Sequence, residues 1–173
     1  MGQQQLILLV LGIVIVAFAV LAGLETYSRA RTEAEFDAMT QVAYDVVADL
    51  DRWYSKPTVF GGGGRAVCPF TPSPEVYGRR LVSGEPFPAA APRYPSPGAG
   101  TWIDAGNGLY AQLDAPNDIV RVVSRTHGAL SVELQAHGPA PACLSFRRRT
   151  YRAGAWVRDA PHVALAACPR PWE

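Results

Sequence analysis

LILLVLGIVIVAFAVLAGL, which runs from Leu6 to Leu24, constrains the structure more than any other part of the sequence. Its 19 residues include no charged, amide or hydroxyl side chain and no proline. A helix needs about 20 mostly apolar residues to cross the hydrocarbon core of a bilayer. The run therefore predicts a membrane-spanning helix. A signal peptide cut near Ala17 to Ala19 is the alternative, but such peptides begin with basic residues, and Met1 to Gln5 contain none.

The residues after this run predict that the helix continues. No glycine or proline occurs between Glu25 and Tyr54, and from Met39 onward apolar residues recur at helical spacing. Pro57 ends the helix, because proline disfavours the helical conformation of the residue before it. An apolar stripe needs a partner layer, so we expect a sheet to pack on this half of the helix. The residues expected at that contact are Val42, Val46, Val47, Leu50 and Trp53.

The C-terminal part of the chain predicts an antiparallel sheet. Asn107-Gly108 lies between two alternating runs, 101–104 and 109–113, which is a strong hairpin signal. Further strands at hairpin spacing are expected at 119–124, 130–136, 144–151, 155–157 and 163–167. In residues 130–137 the apolar positions alternate with Ser131, Glu133, Gln135 and His137. This alternation predicts one buried face and one wet face.

These elements predict an α+β fold with four segments. Residues 1–24 form the apolar transmembrane or filament-core helix, and residues 25–56 form its amphipathic continuation. Residues 57–100 are a connecting segment rich in glycine and proline, of which the whole chain contains 16 and 15. Residues 101–173 form the antiparallel β domain. The net charge is +1, with acidic and basic residues interspersed, so no nucleic-acid partner is expected.

The chain contains three cysteines, Cys68, Cys143 and Cys168. Outside the cytoplasm a pair of cysteines can be oxidised. Cys143 and Cys168 are the preferred pair, since a bond between them would close a loop of about 25 residues and contribute about 3 kcal/mol. Three reduced, buried thiols are the alternative, because the connectivity of disulfides cannot be deduced from sequence.

No pattern in the sequence predicts catalysis, a metal or a cofactor. His127, His137, His162 and the cysteines lack the close Cys-Cys or His-His spacing of metal sites. The glycine run 61–64 is not followed by the Lys-Ser or Lys-Thr of a phosphate-binding loop, so a tight turn against other backbone is expected there. Residues with the spacing of a catalytic triad are also missing. We therefore expect that the protein is not an enzyme.

Arg147, Arg148 and Arg149 are consecutive in a predicted strand. Alternate residues of a strand face the same side, so the three do not form one basic patch. Arg147 and Arg149 are expected to share a solvent-exposed face with Tyr151. Such a face would allow binding of an anionic neighbour or polymer, and a simple solvated surface is the commoner alternative.

The order of elements resembles that of type IV pilins and pseudopilins. The opening Met1 to Leu6, the helix exit Trp53 to Pro57 and the glycine run 61–64 are similar to a group of small bacterial pilin-like proteins. The resemblance covers about the first 64 residues by pattern and the rest by the order of elements. Pilins of this kind are usually cut after a glycine and carry glutamate at the fifth mature position. A cut after Gly2 would place Ile7 there.

The resemblance implies a structural subunit of an extracellular type IV pilus-like filament. In such a filament the apolar helices form the core and the β domains form the outer wall. The implied partners are further copies of this chain, the inner membrane before assembly, and a pilus assembly machinery. Once out of lipid, the apolar run can be buried only against identical helices. The residues expected in that helical core are Leu6, Leu9, Ile13, Val14, Val16, Phe18, Val20 and Leu24.

Two alternatives remain open at this stage. One is a monomeric single-pass membrane protein whose extracytoplasmic β domain has a binding role, and the other is a pseudopilin of a secretion system. Arg29 and Arg31 follow the apolar run, which by the positive-inside rule favours a cytoplasmic domain. Glu25 and Glu33 flank these arginines, and the pilin-like layout implies the opposite orientation, which we therefore expect.

Overall fold

The computed structural model describes residues 2–65, 69–70, 78–82, 102–114, 117–125, 130–136, 143–152 and 155–158. Within these residues a long N-terminal helix is followed by a short 3-10 helix and seven strands. This arrangement confirms the predicted α+β class. The chain divides into two compact units, Met1–Glu35 and Phe36–Glu173. The strand expected at 163–167 and most of the connecting segment lie outside the described residues.

Helix α1 spans Gly2–Ser55 without interruption. Its end follows from the sequence, since Pro57 comes two residues later and begins the turn that leads into the 3-10 helix Thr58–Phe60. The helix is long and apolar enough to cross a membrane. All side chains from Gln3 to Arg31 are exposed within the chain itself. The apolar half of α1 is therefore a candidate transmembrane span.

The seven strands form one antiparallel sheet in which the spatial order is the order along the chain. The predicted strands are found at nearly the predicted positions. The short first strand was not predicted, because two residues are too few to show an alternating pattern. The strands are β1 (Leu81–Val82), β2 (Trp102–Gly106), β3 (Leu109–Asp114), β4 (Ile119–Ser124), β5 (Leu130–Ala136), β6 (Leu144–Arg152) and β7 (Ala155–Arg158).

The predicted hairpin connects β2 to β3. Asn107 and Gly108 have φ angles of 53° and 76°, and positive φ at both central residues is what a type I′ turn requires. The register shifts between Asp104 and Gly106, and the Gly106 amide donates a hydrogen bond of 2.9 Å to the Asp104 carboxylate. This irregularity before the turn matches a β-bulge.

One face of the sheet packs on the amphipathic half of α1. The buried stripe of the helix begins at Phe36, one turn earlier than the pattern from Met39 predicted. Val42 is partly buried against this core, and Trp53 lies beside Gly63 at the end of the helix. The core contains Phe36, Met39, Ala43, Val46, Val47 and Leu50 of the helix and Ile103, Leu109, Ala111, Val120, Val122, Leu130, Val132, Leu134 and Ala136 of the sheet.

Candidate functional site

The apolar surface of α1 is the largest exposed hydrophobic feature of the described chain. The eight residues expected in a helical core are all exposed, from 43% for Val14 to 69% for Phe18. Soluble monomers rarely expose contiguous apolar patches larger than a few hundred Å². The segment therefore needs an apolar cover. Lipid tails and other apolar helices are the two materials that cover a helix that is apolar on all sides.

A tightly folded turn follows the helix. The amides of Gly63 and Arg65 donate hydrogen bonds of 3.0 Å to the carbonyl oxygens of Trp53 and Tyr54, the last turn of α1. A Cβ atom at Gly62 would overlap the carbonyl oxygen of Lys56, and one at Gly63 would lie 2.6 Å from the indole ring of Trp53. These close approaches confirm the prediction that the glycine run is a turn against other backbone.

The turn holds two large apolar side chains in solvent. Val59 and Phe60 belong to the 3-10 helix and are 89% and 69% exposed. Their backbone is fixed, because the Phe60 and Gly61 amides donate to the carbonyl oxygens of Pro57 and Thr58. A fixed, exposed valine and phenylalanine form a candidate contact with another molecule.

The outer face of the sheet, the face that is turned away from α1, carries a row of polar side chains. The register places Gln112 opposite Arg121, Arg121 opposite Glu133, and Glu133 opposite Arg147. Directly opposite residues in antiparallel strands have Cβ atoms about 5 Å apart. Gln112 is 1% exposed, Arg121 is 7% exposed and Glu133 is fully buried. Four neighbouring strands, β3 to β6, thus contribute one polar row, which is buried on β3 to β5 and half-buried at Arg147 on β6.

Ion pairs connect this row to its neighbours. Glu133 accepts a hydrogen bond of 2.9 Å from Arg121 Nε, and its second carboxylate oxygen lies 2.8 Å from Nη2 of Arg149. Arg121 Nη1 also donates to Gln112 Oε1 at 3.5 Å, and Arg121 Nη2 lies 3.9 Å from the Asp114 carboxylate. Glu133 therefore pairs with two guanidinium groups at once.

A cavity of about 390 Å³ opens over the row. Its described lining is almost entirely polar, and Ile119 is the one apolar residue in it. Asn117, at its edge, donates hydrogen bonds of 3.1 Å to both carboxylate oxygens of Asp114. The lining consists of Asp114, Asn117, Ile119, Arg121, Glu133, Gln135, Arg147 and Arg149. This volume is in the range of small-molecule sites.

The expectation of a wet outer face is wrong for the middle of the sheet. Ser131 and Glu133, predicted to face water, are both fully buried. Arg149, expected on a solvent-exposed face, has a side chain only 14% exposed and pairs with Glu133. The predicted alternation of faces along the strands is confirmed, since these residues do share one face. Ion pairs across the strands allow this face to be buried. The ion pairs depend on the strand register, which a single sequence does not reveal.

Cys143 forms a disulfide bond. The proposed partner, Cys168, lies outside the described residues, as do Cys68 and the three histidines, so the pairing stays a prediction. In the part of the chain that the structure describes, no group of three or more His, Cys, Asp or Glu residues could hold a metal ion.

No protein-family model, no curated protein and no solved structure matches this chain. Three surfaces of the described chain can indicate a function: the apolar helix, the turn that exposes Val59 and Phe60, and the polar row with its cavity.

Proposed function

We propose that this protein is a structural subunit of an extracellular type IV pilus-like filament. The apolar half of α1 would form the filament core with the same segment of other copies, and the β domains would form the outer wall. Before assembly the same segment would anchor the subunit in the inner membrane. A repeated contact between different surfaces of identical subunits generates a helical filament when its rotation does not close into a ring.

The observation that carries the proposal is the contrast within one uninterrupted helix. Residues Leu6 to Leu24 are apolar and exposed on all sides, whereas the stripe from Phe36 to Leu50 is buried under the sheet. A membrane anchor requires only the first segment. Both segments belong to helix α1, Gly2–Ser55, and the second is the part that packs on the sheet.

A second apolar feature supports contacts between copies. Val59 and Phe60 are exposed on a turn whose backbone is fixed by hydrogen bonds to the helix end. In a filament such residues would pack against a neighbouring subunit, and apolar side chains on an ordered turn lose little conformational entropy when they do so.

The alternative is a monomeric single-pass membrane protein whose β domain binds a ligand. The length and hydropathy of α1 favour it as much as they favour a filament, because both functions pass through a membrane-anchored state. The polar cavity on the outer face is the specific observation in its favour. A pseudopilin, which would assemble only within a secretion system, has the same expected architecture.

Electron microscopy of material sheared from intact cells tests the proposal. Cells that produce the chain with an epitope tag are sheared, and the released fraction is labelled with antibody against the tag. We expect labelled fibres in this fraction. If the chain is found only in membranes that require detergent for extraction, the filament proposal fails and the single-pass protein is left.

A further inference from the structure

We infer that the turn that follows α1 docks on the solvent face of α1 in a second copy of this chain. The turn comprises residues 56–65 and exposes Val59 and Phe60. The solvent face of α1 is the side turned away from the sheet, and it consists of Ala38, Gln41, Tyr44, Asp45 and Ala48. The inference rests on the proposed function, because it names one contact between copies outside the apolar segment Leu6 to Leu24.

The solvent face of α1 is low in relief. Its members Ala38, Gln41, Asp45 and Ala48 follow one another at intervals of three and four residues, so they lie on one side of the helix. All four are exposed, and Tyr44 beside them is 43% exposed. An alanine side chain is a single methyl group, so the two alanines leave room for a projecting side chain of another molecule. Gln41 Nε2 donates a hydrogen bond of 3.0 Å to the Asp45 carboxylate, which holds that charge in the middle of the surface.

The turn offers the complementary shape. Val59 and Phe60 project into solvent from a backbone that is fixed by the hydrogen bonds of the Phe60 and Gly61 amides. Large apolar side chains on a fixed backbone can pack against small residues at a low entropic cost. The alanines of the solvent face, with the Tyr44 ring beside them, present such a surface.

Charge favours contact between the two unlike surfaces. Residues 36–51 include four acidic residues and no lysine or arginine, whereas residues 52–65 include three basic residues and no acidic one. Lys56 and Arg65 are exposed in the turn, and Asp45 is exposed on the solvent face of α1. Two copies that met turn to turn, or helix face to helix face, would place like charges together. Docking of a turn on the solvent face of the next copy instead brings Lys56 and Arg65 toward Asp45.

A second copy of the chain is the partner, because both complementary surfaces are present on every copy. Each copy uses its turn toward one neighbour and its solvent face toward another, so the contact joins different surfaces of identical subunits. Such a heterologous contact repeats from subunit to subunit. It contains few apolar side chains compared with a stable interface, so it adds to the filament core and does not replace it.

Photo-crosslinking in intact cells that produce the full chain tests the inference. The photoreactive amino acid p-benzoylphenylalanine replaces Phe60, and the covalent dimer is isolated after irradiation and reduction. Digestion with trypsin places residue 60 in the peptide 53–65 and the solvent face of α1 in the peptide 32–52. We expect the dimer to contain these two peptides joined. The same amino acid in place of Val157, which is 46% exposed in β7, should give no link to the peptide 32–52.

Charge reversal tests the pairing of the two surfaces. Lys56→Glu and Asp45→Lys, each combined with the photoreactive residue 60, should each lower the yield of covalent dimer about 5-fold or more, because each places like charges across the contact. The two changes together should restore most of the yield. Arg125→Glu is the matched control, since it reverses the charge of an exposed arginine elsewhere in the domain and should leave the yield unchanged.

Electron microscopy of the sheared fraction from the same cells separates this inference from the proposed function. Fibres without a link between the peptides 53–65 and 32–52 would overturn the inference and leave the filament standing. The link in dimers from cells without fibres would support the contact and count against the filament, and the absence of both would overturn both. Links from residue 60 only to lipid or to another protein, or equal losses with Arg125→Glu and Lys56→Glu, would also overturn the inference.

Discussion

At the scale of single residues, Glu133 is the centre of the outer face. Its carboxylate is fully buried and pairs with Arg121 on one oxygen and Arg149 on the other. A buried ion pair adds little when compared with a well-packed apolar alternative, but the loss of one partner leaves an uncompensated charge. The two arginines therefore depend on Glu133 for their burial.

We expect Glu133→Gln to lower the free energy of unfolding by about 3 to 5 kcal/mol. Glutamine keeps the size of the side chain but removes the negative charge that faces Arg121 and Arg149. Thermal and chemical unfolding of the full chain in detergent, followed by circular dichroism, measures the effect. Glu25→Gln is the control, because it removes the charge of an exposed i,i+4 pair with Arg29 and should leave the unfolding curve unchanged. A loss below about 1 kcal/mol for Glu133→Gln would mean that the arginines reach water.

The sequence contains the members of this site but not their arrangement. Arg121, Glu133 and Arg147 are charged residues of three different predicted strands, and each taken alone predicts a solvent-facing side chain. Only the strand register brings the three into one row. Register depends on turns and on packing between strands, so the cavity could not be predicted.

At the scale of elements, the packing of the apolar stripe of α1 on one face of the sheet stabilises the domain. Val46 is 2% exposed and lies in the core with Val132 and Leu134, whereas Ala48, two residues later, is exposed. These two helix positions have opposite environments within a single turn. They provide a direct test of the helix–sheet contact.

Val46→Asp should destabilise the domain by several kcal/mol, because it places a charge in an apolar core and removes buried methyl groups. Ala48→Asp, which adds the same charge on the exposed face, should change the stability little. Melting of both full-length variants in detergent gives the comparison. Equal melting of the two variants would refute the packing.

Elements with a clear period were predictable, and elements without one were not. The amphipathic half of the helix was predictable from the apolar residues at helical spacing from Met39 to Tyr54. Six strands were predictable from the alternating runs after Thr101. Phe36 was not predicted as the start of the buried stripe. The residues just before it are mostly polar, so the helical spacing of apolar residues is not visible there. Leu81–Val82 was missed because its pairing with Trp102 and Ile103 is a tertiary contact without a local signal.

At the scale of the whole molecule, the question is whether Leu6 to Leu24 assembles or only anchors. The apolar residues of this segment are exposed in the isolated chain, and under the proposed function both lipid and copies of the helix would cover it. Membrane anchoring and filament assembly should respond differently to a charged residue in this segment. A bilayer accepts one charge near the centre of a strongly apolar helix, whereas a helical core repeats that charge at every subunit.

Val14→Lys should therefore leave membrane insertion detectable and abolish fibres. The insertion cost of one lysine at the centre of a span is about 2.5 to 3.5 kcal/mol, which the other apolar residues offset. In a filament the like charges would be close together in a dry core. Membrane fractionation measures insertion, and electron microscopy of sheared material measures fibres. Val14→Leu should preserve both, and a lysine variant that inserts and still forms fibres of normal length would leave the single-pass anchor as the function.

The spatial order of the strands has a consequence for how the domain folds. From β2 to β7 each described strand pairs with its neighbour in the sequence across a short connection, so this part of the sheet can grow hairpin by hairpin without closing long loops. The packing of Val46 and Leu50 against Val132 and Leu134 is different, since it joins parts of the chain more than 80 residues apart. Low contact order speeds folding and distant contacts slow it. Docking of the sheet on the helix is therefore the expected slow step, and the nascent domain would expose an apolar sheet face until that step is complete.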